Sequence, residues 1–118
     1  DIQYLTGNIE PGDIEHRITP RTKAVLPVHW LGYPCDIDEV LNLSRARDLP
    51  VIEDAAQALG AVYKGKNIGD ISPFTCFSFQ ATKHITTGDG GVLCLSDNNM
   101  YEAAKRRRWF GIDRERRK

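Results

Sequence analysis

The sequence is poor in several things, and each shortage narrows what the chain is. Its 118 residues hold three cysteines, Cys35, Cys76 and Cys94, an odd number with no CxxC pair. That argues against a disulfide scaffold and for a reducing compartment. The histidines His16, His29 and His84 have no metal-ligand spacing with the cysteines, so no zinc motif is written here. No apolar run approaches the ~20 residues that cross a bilayer, and the first residues show no targeting pattern. A cytoplasmic location without membrane contact is the expectation. Neither GxGxxG nor GxxxxGK[ST] occurs, which removes the commonest glycine-rich phosphate loops.

Net charge is also missing, but only in the sum. Residues 1–104 carry 8 basic and 14 acidic side chains, and residues 105–118 carry 8 basic and 2 acidic. The basic end, Lys105-Arg106-Arg107-Arg108 and Arg114 to Lys118, reads either as a nucleic-acid patch or as a solvated helix end followed by a loop. No helix-turn-helix or aromatic-interleaved RNA motif accompanies it, so no nucleic-acid partner is expected.

What is present is an α/β rhythm. Pro11 to Ile18 reads as a short helix. Lys23 to His29 reads as a buried strand covered on both faces, with Pro27 marking an edge or an end. Asp36 caps a helix with Glu39 as its capping-box acid, and Leu49-Pro50 stops it. Val51-Ile52-Glu53-Asp54 is the next strand, giving a βαβ unit and a parallel sheet. The turn-rich Tyr63 to Asp70 suggests a small hairpin. Phe74–Phe79 and Gly90–Ser96 are two further strands, and Asp97 caps a last helix from Asn98 to about Arg108.

In such sheets ligands gather beyond the carboxyl ends of the strands. Asp54 ends one strand and His29 the strand before it. Ser78 lies near the end of the third, with Lys83 in the Gly-rich loop beyond. An acid, a hydroxyl and an amine on one rim suit pyridoxal phosphate. Lysine forms the Schiff base and shuttles protons, and a buried Asp holds the pyridinium nitrogen. Gln57 is placed to reach the ring 3′-oxygen and Ser78 the phosphate. Each residue also has a plain structural reading. Lys83 is a surface charge, Asp54 a turn cap, Ser78 a solvent-facing strand residue, and Gly88-Asp89-Gly90-Gly91 a hairpin turn.

Three ordered stretches break this tie: Ile18 to Asp36 with Pro27-Val28-His29-Trp30-Leu31-Gly32, Val51-Ile52-Glu53-Asp54-Ala55-Ala56-Gln57-Ala58, and Phe77-Ser78-Phe79-Gln80-Ala81-Thr82-Lys83 to Gly91. Together they resemble the DegT/DnrJ/EryC1/StrS family of sugar aminotransferases. The resemblance implies part of the large pyridoxal-phosphate-binding domain of fold-type I, aspartate-aminotransferase-like transferases. It implies transfer of an amino group, commonly from L-glutamate, to a keto group on a nucleotide-activated sugar, in surface polysaccharide, antibiotic or amino-sugar biosynthesis. By position, Lys83 is the Schiff-base lysine, Asp54 pairs with the pyridinium nitrogen, Gln57 contacts the ring hydroxyl, and Ser78 binds phosphate.

The departures are informative. Family members are much longer, so residues 1–118 read as one partial large domain without the upstream phosphate-binding turn or the C-terminal small domain. The family site is built between two copies, so a homodimer is expected of the full-length protein. His84 stands where asparagine is common, and Asp89 where glutamate is common. A branch of dehydratases carries histidine in place of the lysine, and Lys83 disfavours it. A catalytically incomplete or regulatory remnant of the family is the alternative, with a nucleic-acid-binding module behind it.

Overall fold

A computed structural model describes residues 1–108 and 110–112. Helix α1 spans Pro11–Arg17, with proline in its first turn, where a missing N–H costs nothing. Helix α2 spans Ile37–Arg45 and buries Ile37, Val40, Leu41 and Ser44. That i, i+3, i+4, i+7 spacing is the inward stripe of an amphipathic helix. The stripe meets Ile14 of α1, Cys35, and the strand residues Val25 and Val51 in the main core cluster.

The strands follow. β1 is Ile52–Asp54, β2 Val62–Tyr63, β3 Lys66–Asn67, β4 Phe74–Ser78 and β5 Gly91–Leu95. β1 runs parallel to β4, and β5 runs antiparallel on the other side of β4. β2 and β3 form the small hairpin. Its turn places Lys64 at φ 48° and Gly65 at φ 81°, the paired positive φ of a tight two-residue loop. Helix α3, Asn98–Arg107, starts at Asp97, whose carboxylate accepts the Met100 N–H at 2.8 Å. This is the cap that the sequence predicts.

Two expectations need correction. The run before His29 pairs with β1 through Val25–Val51 and Val28–Asp54 bridges, both parallel, but it is not a continuous strand. The Val25 N–H donates to Pro50, the Pro27 carbonyl accepts from Asp54, and the His29 N–H donates to the Asp54 carbonyl. Pro27 has no hydrogen to donate, so one rung of this ladder is missing. The segment lies at the edge of the sheet and is covered on one face only. Val25, Pro27 and His29 are buried, whereas Leu26 and Val28 are exposed. The second correction concerns α2. The Asp36 side chain makes no capping bond and accepts instead from Gln3 Nε2 at 2.7 Å. Glu39 is exposed.

The alternation sorts the sheet into two faces. Thr75 and Phe77 of β4 are buried, as is Glu53 of β1. Asp54, Cys76 and Ser78 share the opposite, more open face, with Leu26, Val28 and Leu93. Among the described residues no helix is long and apolar enough to cross a membrane.

Candidate active site

Asp54 closes β1 at the carboxyl edge of the sheet. Its Oδ1 accepts the Ala56 N–H at 3.0 Å, an Asx turn that aims the side chain. The Asp54 peptide is held on both flanks. Its N–H donates to the Pro27 carbonyl, its carbonyl accepts from the His29 N–H, and the next amide, Ala55, donates to Cys76. Asp54 pairs with Cys76 in the parallel ladder. Ser78 lies two residues further along the same strand and face. Strand geometry sets the Asp54 and Ser78 Cα atoms roughly 8 Å apart.

Beyond Ser78, residues 79–90 form the connection to β5. It closes through Phe79 N–H to Gly90 O and Thr87 N–H to Phe79 O. Gln80 Oε1 accepts from both the N–H and the hydroxyl of Thr82, which tightens the turn just before Lys83. Lys83 is half-buried. With Leu31, Gln57, Thr82 and His84 it lines an open cavity of about 340 Å³.

Gln57 reaches this cavity from the turn after β1, and the short 3-10 turn Trp30–Gly32 holds it there. The Leu31 N–H donates to Gln57 Oε1 at 3.0 Å. Leu31 has φ 52°, an uncommon conformation for a side-chain-bearing residue that tends to occur at functional sites. Gly32 has φ 84°, and a Cβ there would sit 2.7 Å from the Gln57 carbonyl oxygen, so only glycine lets the two segments close. Buried Asn8 staples the same turn at both ends. Its Oδ1 accepts from Trp30 N–H at 2.8 Å, and its Nδ2 donates to the Tyr33 carbonyl at 3.0 Å.

Of the four residues singled out from the sequence, Lys83 and Gln57 thus share one cavity. Asp54 and Ser78 share the open sheet face at the neighbouring strand ends and do not line that cavity. His29, placed on the same rim by its strand end, turns its ring the other way. It is buried with Glu53, Nε2 to Oε2 at 2.6 Å, and both side chains are fully enclosed. The Cys35 N–H donates to Nδ1 at 3.1 Å, so the ring proton belongs on Nε2 and is donated to Glu53. Thr75 Oγ1 donates to the other Glu53 oxygen at 3.2 Å. Burial pushes the Glu53 carboxyl up, but the polar side chains around it, His29 first and then Ser72 and Thr75, together outweigh burial and hold it below its ordinary value. A carboxylate inside an apolar strand was the signal for this cluster, since such a group needs a buried partner. Asn8, Leu31 and Thr82 carried no comparable signal.

The donor inventory can be matched against pyridoxal phosphate. Among the described residues the Lys83 amine is bonded to no acceptor, and Asp54 keeps one carboxylate oxygen uncommitted. Gln57 has its oxygen occupied by Leu31, leaving its amide hydrogens as donors. Ser78 Oγ accepts from the Gln80 N–H, which frees its own proton. An uncommitted amine, one acceptor for a ring N–H, and two donors for oxygens are complementary to that cofactor, so the residues fit it.

Of the basic run, Arg106, Arg107 and Arg108 are exposed at the end of α3. Arg114 to Lys118 lie outside the described residues.

Comparison with known proteins agrees with the sequence motifs. The DegT/DnrJ/EryC1/StrS aminotransferase family matches residues 1–118. GDP-perosamine synthase of Caulobacter vibrioides is 44% identical over 112 residues, covering 95% of this chain and 30% of that protein. The crystal structure of 3-amino-5-hydroxybenzoic acid synthase superposes with a TM-score of 0.92 at 36% identity, over all of this chain and 31% of that one. DesI, solved in the presence of its TDP-sugar product, superposes with a TM-score of 0.91 at 34% identity, over 98% of this chain and 29% of its own. The chain therefore spans about a third of the length of these relatives. It belongs to the DegT/DnrJ/EryC1/StrS aminotransferase family, and its fold is an α/β portion of the fold-type I architecture.

Proposed function

We propose that this chain carries the central part of the site of a pyridoxal-phosphate-dependent aminotransferase, one that moves an amino group, from L-glutamate, to a keto group of a nucleotide-activated sugar. The observation that carries the reading is the uncommitted, half-buried Lys83 amine sharing a cavity with Gln57, beside the strand-end pair Asp54 and Ser78. The relatives support the substrate class, one as a GDP-perosamine synthase and one solved with a TDP-sugar product.

When bound, pyridoxal phosphate supplies an electron-withdrawing ring that stabilises negative charge on the carbon losing its proton. Lys83 would hold the cofactor through its aldehyde carbon. Asp54 would accept a charge-assisted hydrogen bond from the ring N–H, Gln57 would donate to the ring oxygen, and Ser78 to the phosphate. The Lys83 amine would also be the group placed to carry a proton to and from the reacting centre. His84 and Thr82 border the same space and help bound the substrate side.

In this reading residues 1–118 form one partial large domain. The phosphate-binding turn and the small domain come from the rest of a longer polypeptide, which acts in the cytoplasm as a homodimer. The experiment is borohydride trapping in that complete polypeptide. The expected result is a single lysine-linked cofactor adduct on the peptide containing Lys83. If Lys83→Ala still yields a lysine-linked adduct, the assignment is wrong.

A further inference from the structure

The mechanism proposed above makes no use of His29 or Glu53, yet both side chains of this hydrogen-bonded pair are fully enclosed. Its connections run toward both groups assigned to the cofactor ring. Along one route, the His29 N–H donates to the Asp54 carbonyl at 3.0 Å, and Glu53, the covalent neighbour of Asp54, is gripped by the imidazole at 2.6 Å and by Thr75 of β4 at 3.2 Å. This locks the last residues of β1 between the edge segment and β4. Along the other route, the His29 Nδ1 accepts the Cys35 N–H at 3.1 Å, and the His29 carbonyl accepts the Gly32 N–H at 3.1 Å. The segment from Trp30 to Cys35 is thereby pinned at both ends. From it the Leu31 N–H reaches Gln57 Oε1 at 3.0 Å.

We propose that His29 is a positioning residue for both ring contacts, fixing Asp54 through β1 and Gln57 through the Trp30–Gly32 turn, with Glu53 and Thr75 as its anchors. The inference rests on the cofactor reading given above. The physical reason for such a device is that cofactor-contacting groups act only when held within a fraction of an ångström of their working geometry. Asp54 and Gln57 lie at a strand end and in a turn, so their side chains keep their aim only while the backbone there is tied down. A buried imidazole bonded through both nitrogens supplies that constraint, and it reads out on two elements at once. A purely structural pair would stabilise the chain without altering the electronic environment of the bound cofactor.

The test uses the complete polypeptide, with pyridoxal phosphate as the probe. Readouts are the dissociation constant, the position of the cofactor absorption band, and the melting curve of the cofactor-free form. His29→Gln keeps a donor for Glu53 but removes the acceptor for Cys35. Glu53→Gln keeps an acceptor for His29. Gly32→Ala disturbs the turn where it meets Gln57 and spares the buried pair. We expect His29→Gln and Gly32→Ala to melt cooperatively, to bind the cofactor about tenfold more weakly and to shift its band, with Glu53→Gln close to wild type in both. Should His29→Gln fail to fold, His29→Asn, which keeps an acceptor for Cys35 and gives up the donor to Glu53, takes its place under the same expectations. Folded His29→Gln or Gly32→Ala variants with wild-type affinity and an unmoved band would overturn the positioning role and leave the cofactor reading standing. Absence of pyridoxal phosphate binding by the wild-type protein would instead overturn that reading and this inference with it.

Discussion

Asp54 on β1 and Cys76 on β4 are direct partners in a parallel ladder, so their side chains share the open face of the sheet. The Cys76 thiol is pushed up by burial first and by the negative charge of Asp54 second.

A reactivity order follows for the thiols. Burial drives Cys35 to about 12, with the charges of Glu53 and Asp36 adding to it, and its side chain is enclosed. Since the thiolate is the nucleophile, Cys35 should resist iodoacetamide at pH 8 until the protein unfolds. Cys76 should react slowly, and faster in Asp54→Asn. Peptide mass mapping over time checks this, and prompt native labelling of Cys35 would contradict it.

Acid should destabilise the fold partly through Glu53. Its carboxyl is held below the ordinary value of 4.5 in the folded chain. A depressed folded value means a stabilisation fully present above 4.5 and lost as pH falls through the lower, folded value. Denaturation midpoints across that acid window should fall less steeply in Glu53→Gln than in wild type. Equal slopes would show that Glu53 does not contribute.

Asn8→Ala removes a buried side chain that bonds both ends of the Trp30–Tyr33 turn. It leaves the Trp30 N–H and the Tyr33 carbonyl to find water. A loss of about 1–3 kcal/mol is expected, read from urea midpoints at unchanged m-value. A loss under half a kcal/mol would mean that the turn holds without it.

Ile37→Ala should be costlier. Ile37 is fully buried where α2 meets the sheet, and truncations of this kind cost about 2–5 kcal/mol through lost burial and the cavity left behind. Glu39→Ala, two residues along on the opposite, exposed face and free of the expected capping role, should stay within about half a kcal/mol. Similar losses in the two variants would contradict the assigned faces.

Asp54→Asn separates charge from geometry. Asparagine keeps the oxygen that accepts the Ala56 N–H, so the turn and the melting curve should persist. On the proposed cofactor reading, the negative charge that would face the ring nitrogen disappears, and turnover by the complete polypeptide should fall by about a hundredfold or more, the ~3 kcal/mol range of a lost charge-assisted bond. Wild-type turnover in a folded Asp54→Asn enzyme would remove Asp54 from the cofactor site.

Much of this was legible in local sequence. The α2 stripe, the Lys64-Gly65 turn, the Asp97 cap and the β-branched run ending at Asp54 each state their structure within a few residues. The Asp36 cap is not legible there, because its carboxylate takes a distant donor in Gln3, 33 residues away in the chain. Coverage of the edge segment is not legible either, because an apolar run does not reveal which of its faces has a neighbour.

The sequence by itself determined the α/β class, the family, and the residue types that the site offers: an amine at 83, an acid at 54, an amide at 57 and a hydroxyl at 78. Periodicity, turn chemistry and motif order are properties of neighbouring residues, and they survive without knowledge of the fold. Only the tertiary structure decided that β5 runs antiparallel to β4, that Glu53 turns from the site to pair with His29, 24 residues away, and that a backbone N–H at Leu31 holds Gln57. Buried polar groups take whichever partners the packing of strands brings within hydrogen-bond reach, and no local pattern encodes that choice.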